Sequence, residues 1–416
     1  MTTMSESPPD ITGPPLGELL RGWRERALLT QEQLAERSGL NVRTVRRLEN
    51  NEFQPRVTSM LLLAEALALD GAQRALLAAV AHGRPAGRDE PAVTVPRQLP
   101  ADIAAFVGRE RELAALEARH GTYAADVFAI DGMPGAGKTA LAVRAAHRLA
   151  PRFPDGRLFM DLHGHTEGTA PVEPGEALAR MLRALGVPGE HIPGHTDDRA
   201  ALYRGVLADR RVLVVLDDAT DEQQVRPLLP AGPGCRVIVT SRRRLTGLDD
   251  TRTLSLDVLP PAQAVALFSR AARVPDTPAV AEIAERCGHL PLALRIAAAR
   301  LRAHPSWNPA HLLDRLNDDR LAELRAGRHS VAAALDLSYQ RLTADQRHAY
   351  RLLGSHTPGG FSAADAAVLL ETTEPRARRL LDHLLDVHLL QEPAPSRYRF
   401  HPLIRAHITT RLTARD

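Results

Sequence analysis

The chain has 416 residues, enough for two to four domains at about 100 to 200 residues each. Its 53 basic and 50 acidic residues nearly cancel to a net charge of +3, so bulk electrostatics makes no case for nucleic acid or a membrane surface, and any basic face must be local. No apolar run approaches the ~18 to 20 residues of a bilayer span, the N-terminus lacks a signal pattern, and two isolated cysteines, Cys235 and Cys287, sit in apolar runs as buried thiols of a reducing compartment do. A cytoplasmic protein with no membrane partner is expected.

Residues 1–15 are polar and proline-bearing and read as a disordered tail. From 16 to 82 the chain reads as short helices separated by turn signals. Within it, Thr30-Gln-Glu-Gln-Leu-Ala-Glu-Arg-Ser-Gly39 followed by Leu40-Asn-Val-Arg-Thr-Val-Arg-Arg-Leu-Glu-Asn50 predicts two helices capped by Thr30 and Asn41 and joined at Gly39. Leu34, Ala35, Val45 and Leu48 fall on the inner face, leaving Arg43, Arg46 and Arg47 outward. This pattern resembles the Cro/repressor-type helix-turn-helix, in which the second helix enters the major groove of double-stranded DNA. Arg43 and Arg47 are then expected at base edges, where arginine grips guanine bidentately, with Gln31 and Arg46 on the backbone and Asn41 at the start of the reading helix. An arginine-rich solvated helix is the alternative, since residues 15–60 hold eight Arg against six Glu. One such module contacts a half-site, so specificity calls for a dimer or larger assembly.

Residues 83–103 are rich in Pro and Gly without a sustained period and read as a linker. Beyond them, apolar runs at Asp126–Asp131, Arg157–Leu162, Arg211–Leu216 and Arg236–Thr240 alternate with helical stretches. Continuous runs of this length predict strands buried on both faces of a parallel α/β sheet, a domain over 104–256. Ala/Leu/Arg-rich helical periods follow over 257–328. The segment 329–416 is helical and then shows two short strand-like runs around a proline turn near Leu389–His401, which predicts a winged-helix unit. The fold class is thus multidomain: an all-α helix-turn-helix head, an α/β domain with a parallel sheet, a helical region and a winged-helix domain.

Of the 53 basic residues, 52 are arginine; the one lysine is Lys138, in Gly132-Met-Pro-Gly-Ala-Gly-Lys-Thr139. A compact ammonium suits a glycine-lined phosphate cradle where a planar guanidinium does not. Gly132, Gly135 and Gly137 let backbone N–H groups converge on phosphate oxygens, Lys138 reaches the β- and γ-phosphates, and the Thr139 hydroxyl can ligate Mg²⁺. Asp217, at the end of a buried strand, is the expected Mg²⁺ partner through water, and Asp218 is placed to orient or activate the attacking water. Arg242, emerging after the next strand, is a candidate γ-phosphate sensor, a solvated Arg242-Arg-Arg244 turn being the alternative.

Phe106-Val-Gly-Arg-Glu-Arg-Glu112, the phosphate loop, Leu216-Asp-Asp218, Val239-Thr-Ser-Arg242, Gly288-His-Leu-Pro-Leu292 and Phe400-His401 occur in that order. The series resembles the NB-ARC class of signal-transduction ATPases (STAND), in the form found in bacterial antibiotic-regulator-type transcription factors. The resemblance implies ATP/ADP as the switching ligand, with Val107 and Arg109 at adenine and ribose, Pro291 packed on the base, and His401 reaching the β-phosphate of ADP to hold a closed form. Where that family usually has Asp after this histidine, Pro402 stands here, without a carboxylate or N–H. The reading is an ATP/ADP-switched transcriptional regulator, a slow ATPase at most, forming nucleotide-dependent homo-oligomers and sensing through nucleotide alone or a separate sensor protein. The rival is a signalling or defence NTPase whose head is a protein-interaction module.

Overall fold

In the computed structural model, residues 16–51, 57–71, 73–74, 76–77, 95–118, 124–327, 329–357 and 359–413 are described; the expected tail and most of the linker lie outside them. The chain divides into two units, residues 1–93 and 94–416.

The first unit contains α1 (Leu16–Arg26), α2 (Gln31–Ser38), α3 (Val42–Glu49) and α4 (Val57–Ala66). Thr30 and Gln33 form a reciprocal capping box at the start of α2, Gly39 ends it in the left-handed region, and Asn41 Oδ1 accepts the Arg43 N–H to start α3. Leu20, Trp23, Leu34, Val45, Leu48 and Leu63 form its core.

A buried carboxylate also holds this unit. The Glu49 side chain is 1% exposed and takes Arg24 Nε at 2.7 Å, while Gln31 Nε2 donates to its other oxygen at 2.7 Å. Removing one partner of a buried pair strands the other charge, at a cost of about 3–5 kcal/mol. Glu49→Ala is therefore expected to unfold the head well below the temperature of the wild type, and a thermal melt of residues 1–93 monitored by circular dichroism against the parent checks it.

In the second unit a five-stranded parallel sheet runs in the order β2-β3-β4-β1-β5, with β1 Asp126–Asp131, β2 Gly156–Asp161, β3 Val212–Ala219, β4 Arg236–Ser241 and β5 Arg252–Ser255. Alternate residues serve opposite faces. Phe128, Ile130, Leu213, Val215 and Ile238 enter one apolar cluster; Val127, Ala129, Val212, Val214, Val237 and Val239 enter the other. That two-sided burial is why the strands read as unbroken apolar runs. On the first face lie α5 (Glu110–Glu117) and α6 (Lys138–Leu149), whose Leu141, Ala142, Ala145, Ala146 and Leu149 are fully buried. On the second lie α7 (Pro174–Ala184) and α8 (Thr196–Leu207).

The first cluster continues without a break into the rest of the chain. It takes in α9 (Pro261–Ala272), α10 (Pro278–Arg286), α11 (Pro291–Ala303) and α12 (Pro309–Asp318), then α13 (Val331–Gln340), α14 (Ala344–His356), α15 (Ala363–Leu369) and α16 (Glu374–Asp386). An antiparallel hairpin, β6 (Gln391–Ala394) and β7 (Arg397–Arg399), and α17 (Pro402–Thr413) close the chain. Sheet, lid helices and C-terminal region thus share one core.

Two features depart from expectation. Residues 95–103 fall within the expected linker, yet Pro96 and Gln98 exchange backbone hydrogen bonds with Arg157 and extend the sheet beyond β2. The edge strand β5 had no counterpart among the expected strands; only one of its four residues is apolar.

Candidate functional site

The carboxyl ends of parallel strands leave a crevice where the strand order reverses, and ligands settle there. Here the phosphate loop follows β1, Asp217 and Asp218 lie at the end of β3, and Arg242 follows β4. A cavity of about 660 Å³ opens at this edge. It is lined by Val107, Arg109, Gly135, Gly137, Lys138, Thr139, Asp217, Asp218, Arg242 and Pro291, all expected, and by Phe106, His165, Thr240 and Arg295, which were not.

The loop turns through left-handed backbone, and a Cβ on Gly135 (φ 83°) would stand 2.8 Å from Leu292 Cβ. Gly135 O in turn accepts the Leu292 N–H at 3.1 Å, which seats the start of α11 and its Pro291 over the loop. Lys138, 9% exposed, donates Nζ to the carbonyls of Gly132 and Met133 at 2.7 and 3.0 Å. Burial, with Arg242 nearby, pushes its ammonium down to about 7.

Thr139 Oγ1 donates to Asp217 Oδ1 at 2.8 Å, and Thr240 Oγ1 donates to the same oxygen at 2.6 Å. Burial raises the Asp217 carboxyl despite those two hydroxyls. A hydroxyl and a carboxylate in contact beside a phosphate cradle are the few protein oxygens that Mg²⁺ takes alongside phosphate and water. Asp218 turns out of the strand at φ 53°. Its carboxylate accepts the His165 N–H at 2.6 Å and lies 3.1 Å from His165 Nδ1, with Arg242 Nε 3.8 Å away. Burial raises this carboxyl too, but His165 and Arg242 outweigh it and hold it below the ordinary carboxylate range. Such a group orients a water more readily than it takes its proton. Arg242 also donates to Ala334 O on α13 at 2.7 Å, so the sensor candidate is tied to the C-terminal region.

On the opposite wall, Arg109 sits in left-handed backbone (φ 70°), 7% exposed, bound to Glu112 and to the carbonyl of Asp257. Arg295 donates to Ala105 O at 2.9 Å, positioning the strip that carries Phe106 and Val107.

His401 is not among the residues lining this cavity. Its Nδ1 accepts the Leu403 N–H at 3.2 Å, capping α17, and its Nε2 faces Gly288 O at 2.9 Å, so both ring nitrogens are engaged. Gly288 (φ 60°) is tightly matched to the ring; a Cβ there would lie 2.4 Å from His401 Cε1. Pro402 opens α17, where a helix has no use for an N–H. A second histidine of this region comes closer to the loop: His388 Nε2 is 2.8 Å from Asp131 Oδ1, the fully buried carboxylate at the end of β1 that also accepts Ser255 Oγ at 2.7 Å. Nothing in local sequence marks His165 or His388, because each acquires its partner only through tertiary packing.

In the head, Arg43, Arg46 and Arg47 are exposed on α3. Arg46 is engaged by Glu32 at 2.8 Å and Gln31 at 3.2 Å, and Gln31 also serves Glu49. Among the described residues no helix is long and apolar enough to cross a membrane, and both cysteines are buried free thiols.

Sheet order, phosphate loop and paired aspartates define a P-loop NTPase-fold protein with an N-terminal helix-turn-helix. Comparison with known families agrees: a helix-turn-helix model matches residues 20–72 and the NB-ARC domain model residues 114–274. The chain thus carries a helix-turn-helix and an NB-ARC domain, and it resembles the regulatory protein AfsR. It is 43% identical to that of Streptomyces griseus over 83% of this chain and 37% of the relative. It is 41% identical to that of Streptomyces coelicolor over 94% of this chain and 40% of the relative. The chain spans about two-fifths of the length of these curated relatives. A putative HTH-type transcriptional regulator of Mycobacterium tuberculosis is 31% identical over 61% of this chain and 29% of that protein. Among solved structures, a STAND protein with a tetratricopeptide repeat sensor from Pyrococcus horikoshii matches 76% of this chain and 47% of its own, at 16% identity and a TM-score of 0.37, too low to bear on function.

Proposed function

We propose that this chain is a cytoplasmic transcriptional regulator whose helix-turn-helix reads double-stranded DNA under the control of ATP/ADP exchange. The observation that carries the reading is the contact of Thr139 with Asp217 beside the buried Lys138, in a chain that also presents three exposed arginines on α3. Lys138 and the loop N–H groups would bind the phosphates, Thr139 and Asp217 would hold Mg²⁺, and Pro291 and Val107 would flank the base. The bound metal would neutralise charge on the β- and γ-phosphate oxygens. Asp218, kept ionised, would orient a water for slow hydrolysis. Arg242, which donates to Ala334 O, would exchange that carbonyl for a γ-phosphate and so loosen the C-terminal region, exposing surfaces for homo-oligomerisation or for a sensor protein. His401, fastened to Gly288 three residues before Pro291, would act on the nucleotide through that backbone.

The test uses the full chain with Mg²⁺ and either ADP or a non-hydrolysable ATP analogue, reading mass by light scattering and retention on a random-duplex DNA pool. The ATP-analogue form is expected to be larger and to retain DNA about tenfold better, a coupling of about 1.4 kcal/mol. Equal mass and equal retention in the two states would overturn the switch.

A further inference from the structure

A second cavity of about 310 Å³ adjoins the nucleotide cavity, sharing His165 and Arg242 as common wall. Arg243, Ser338, Arg341 and His383 line it too, beside Thr220 and Asp221, so three guanidiniums and two imidazoles surround one small space. The one carboxylate lining it, Asp221, is already committed: its Oδ1 accepts the Gln224 N–H at 3.0 Å. Ser338, on α13, is 5% exposed, and its buried Oγ has no hydrogen-bond partner. An unmatched hydroxyl is costly to bury, and basic groups held close together repel one another even where Asp218 offsets Arg242 and His165 in part. Both defects are cured by one kind of occupant.

We propose that this cavity is a binding site for a phosphate dianion, separate from the cradle that holds the nucleotide's own phosphates. A tetrahedral oxyanion accepts several donors at once, and guanidinium forks with a hydroxyl are the donor set that recognises it. Crowding of basic groups, offset only in part by Asp218 and Asp386, agrees with this. Burial holds Arg242 and His165 below their ordinary values with Arg341 adding to both, and His383 is lowered by burial and then by Arg243. The occupant would link β4 through Arg242 and Arg243 to α13 and α16 through Ser338 and His383, strengthening the contact between sheet and C-terminal region. Its position beside Asp218 and Arg242 suits a phosphate leaving the larger cavity; that origin rests on the nucleotide reading, whereas the anion site itself does not.

Inorganic phosphate titrated by calorimetry into the ADP-saturated full chain tests it, with Arg341→Ala and Ser338→Ala alongside. Arg341 is exposed, so its loss leaves the fold intact. Saturable binding of one phosphate per chain is expected, about tenfold weaker in Arg341→Ala and several-fold weaker in Ser338→Ala, with ADP affinity within about twofold throughout. In an ATP-analogue titration an affinity unchanged by Arg341→Ala is expected; a matching tenfold loss would mean that the cavity holds the nucleotide's own γ-phosphate and would overturn a separate site. Displacement of phosphate by ADP, absence of saturable binding, or indifference to Arg341→Ala each overturns the site. Failure of ADP to bind wild type would instead strike the nucleotide reading, and the phosphate isotherm would still judge this cavity.

Discussion

Lys138→Arg is expected to abolish nucleotide binding while leaving the head folded, although it only makes the chain uniform in its choice of cation. Nζ reaches Gly132 O and Met133 O at 2.7 and 3.0 Å from a side chain that is almost wholly enclosed. A planar guanidinium in that volume overpacks the loop at about 1–3 kcal/mol and directs its donors away from where a compact ammonium meets two phosphates. Calorimetric titration of ADP is expected to show at least about a hundredfold loss, the loss of roughly two charge-assisted hydrogen bonds. The same lysine makes binding sensitive to pH. Its ammonium is pushed down to about 7 before nucleotide arrives, and bound phosphates raise it again. Binding then takes up a proton above neutrality, so ADP affinity should be fully present below pH 7 and fall by up to about tenfold per unit above it. Stability of the nucleotide-free protein moves the other way. Between about pH 7 and 10 the unfolded lysine binds the proton that the folded one lacks, so stability rises with pH across that window. Wild-type affinity for ADP equal at pH 6.5 and 8.5 would show that Lys138 is not the phosphate ligand.

Much of this was legible in sequence for a simple reason: a strand buried on both faces has no polar side to hide, and a phosphate loop needs glycine at fixed spacing. The runs ending at Asp131, Leu216 and Thr240 therefore announced both the sheet and the edge where its ligand sits. What stayed hidden depends on pairings formed across the fold. The short edge strand β5 is mostly exposed and has no apolar run to betray it. The residues before Ala101 read as linker because proline and glycine signal the absence of regular structure, not the absence of packing, and two backbone hydrogen bonds with Arg157 dock them. His165 and His388 are unremarkable histidines until Asp218 and Asp131 lie beside them. The Gln31 amide, read from sequence as a backbone contact to DNA, stands between Glu49 and Arg46, a bridge that appears only when the two helices pack. His401 likewise satisfies backbone groups of Gly288 and Leu403.

The other large effect is expected at the head, from Arg43→Ala combined with Arg47→Ala. Val45, Leu48 and Glu49 bury one face of α3, and the Arg24 and Gln31 bonds to Glu49 fix its rotation. Arg43 and Arg47 are four residues apart and so lie one above the other on the exposed face. Arginine at the first turns of such a helix can take both acceptors of a guanine edge, each contact being worth about 1–3 kcal/mol of discrimination. Losing both should lower affinity for the preferred sequence by about a hundredfold or more and bring it down to the level of unrelated duplex. Arg46 should behave differently. It already pairs with Glu32 and Gln31, so a contact with phosphate must be made at the expense of those bonds. Arg46→Ala is then expected to weaken all sequences alike and to reduce the salt slope by about one. Fluorescence anisotropy on duplexes enriched from a random pool, repeated across a salt series, separates the two behaviours. If the double variant occupies the same genomic sites as wild type, base reading does not reside in Arg43 and Arg47. A thermal melt of the double variant beside the wild type separates lost recognition from unfolding, both side chains being exposed.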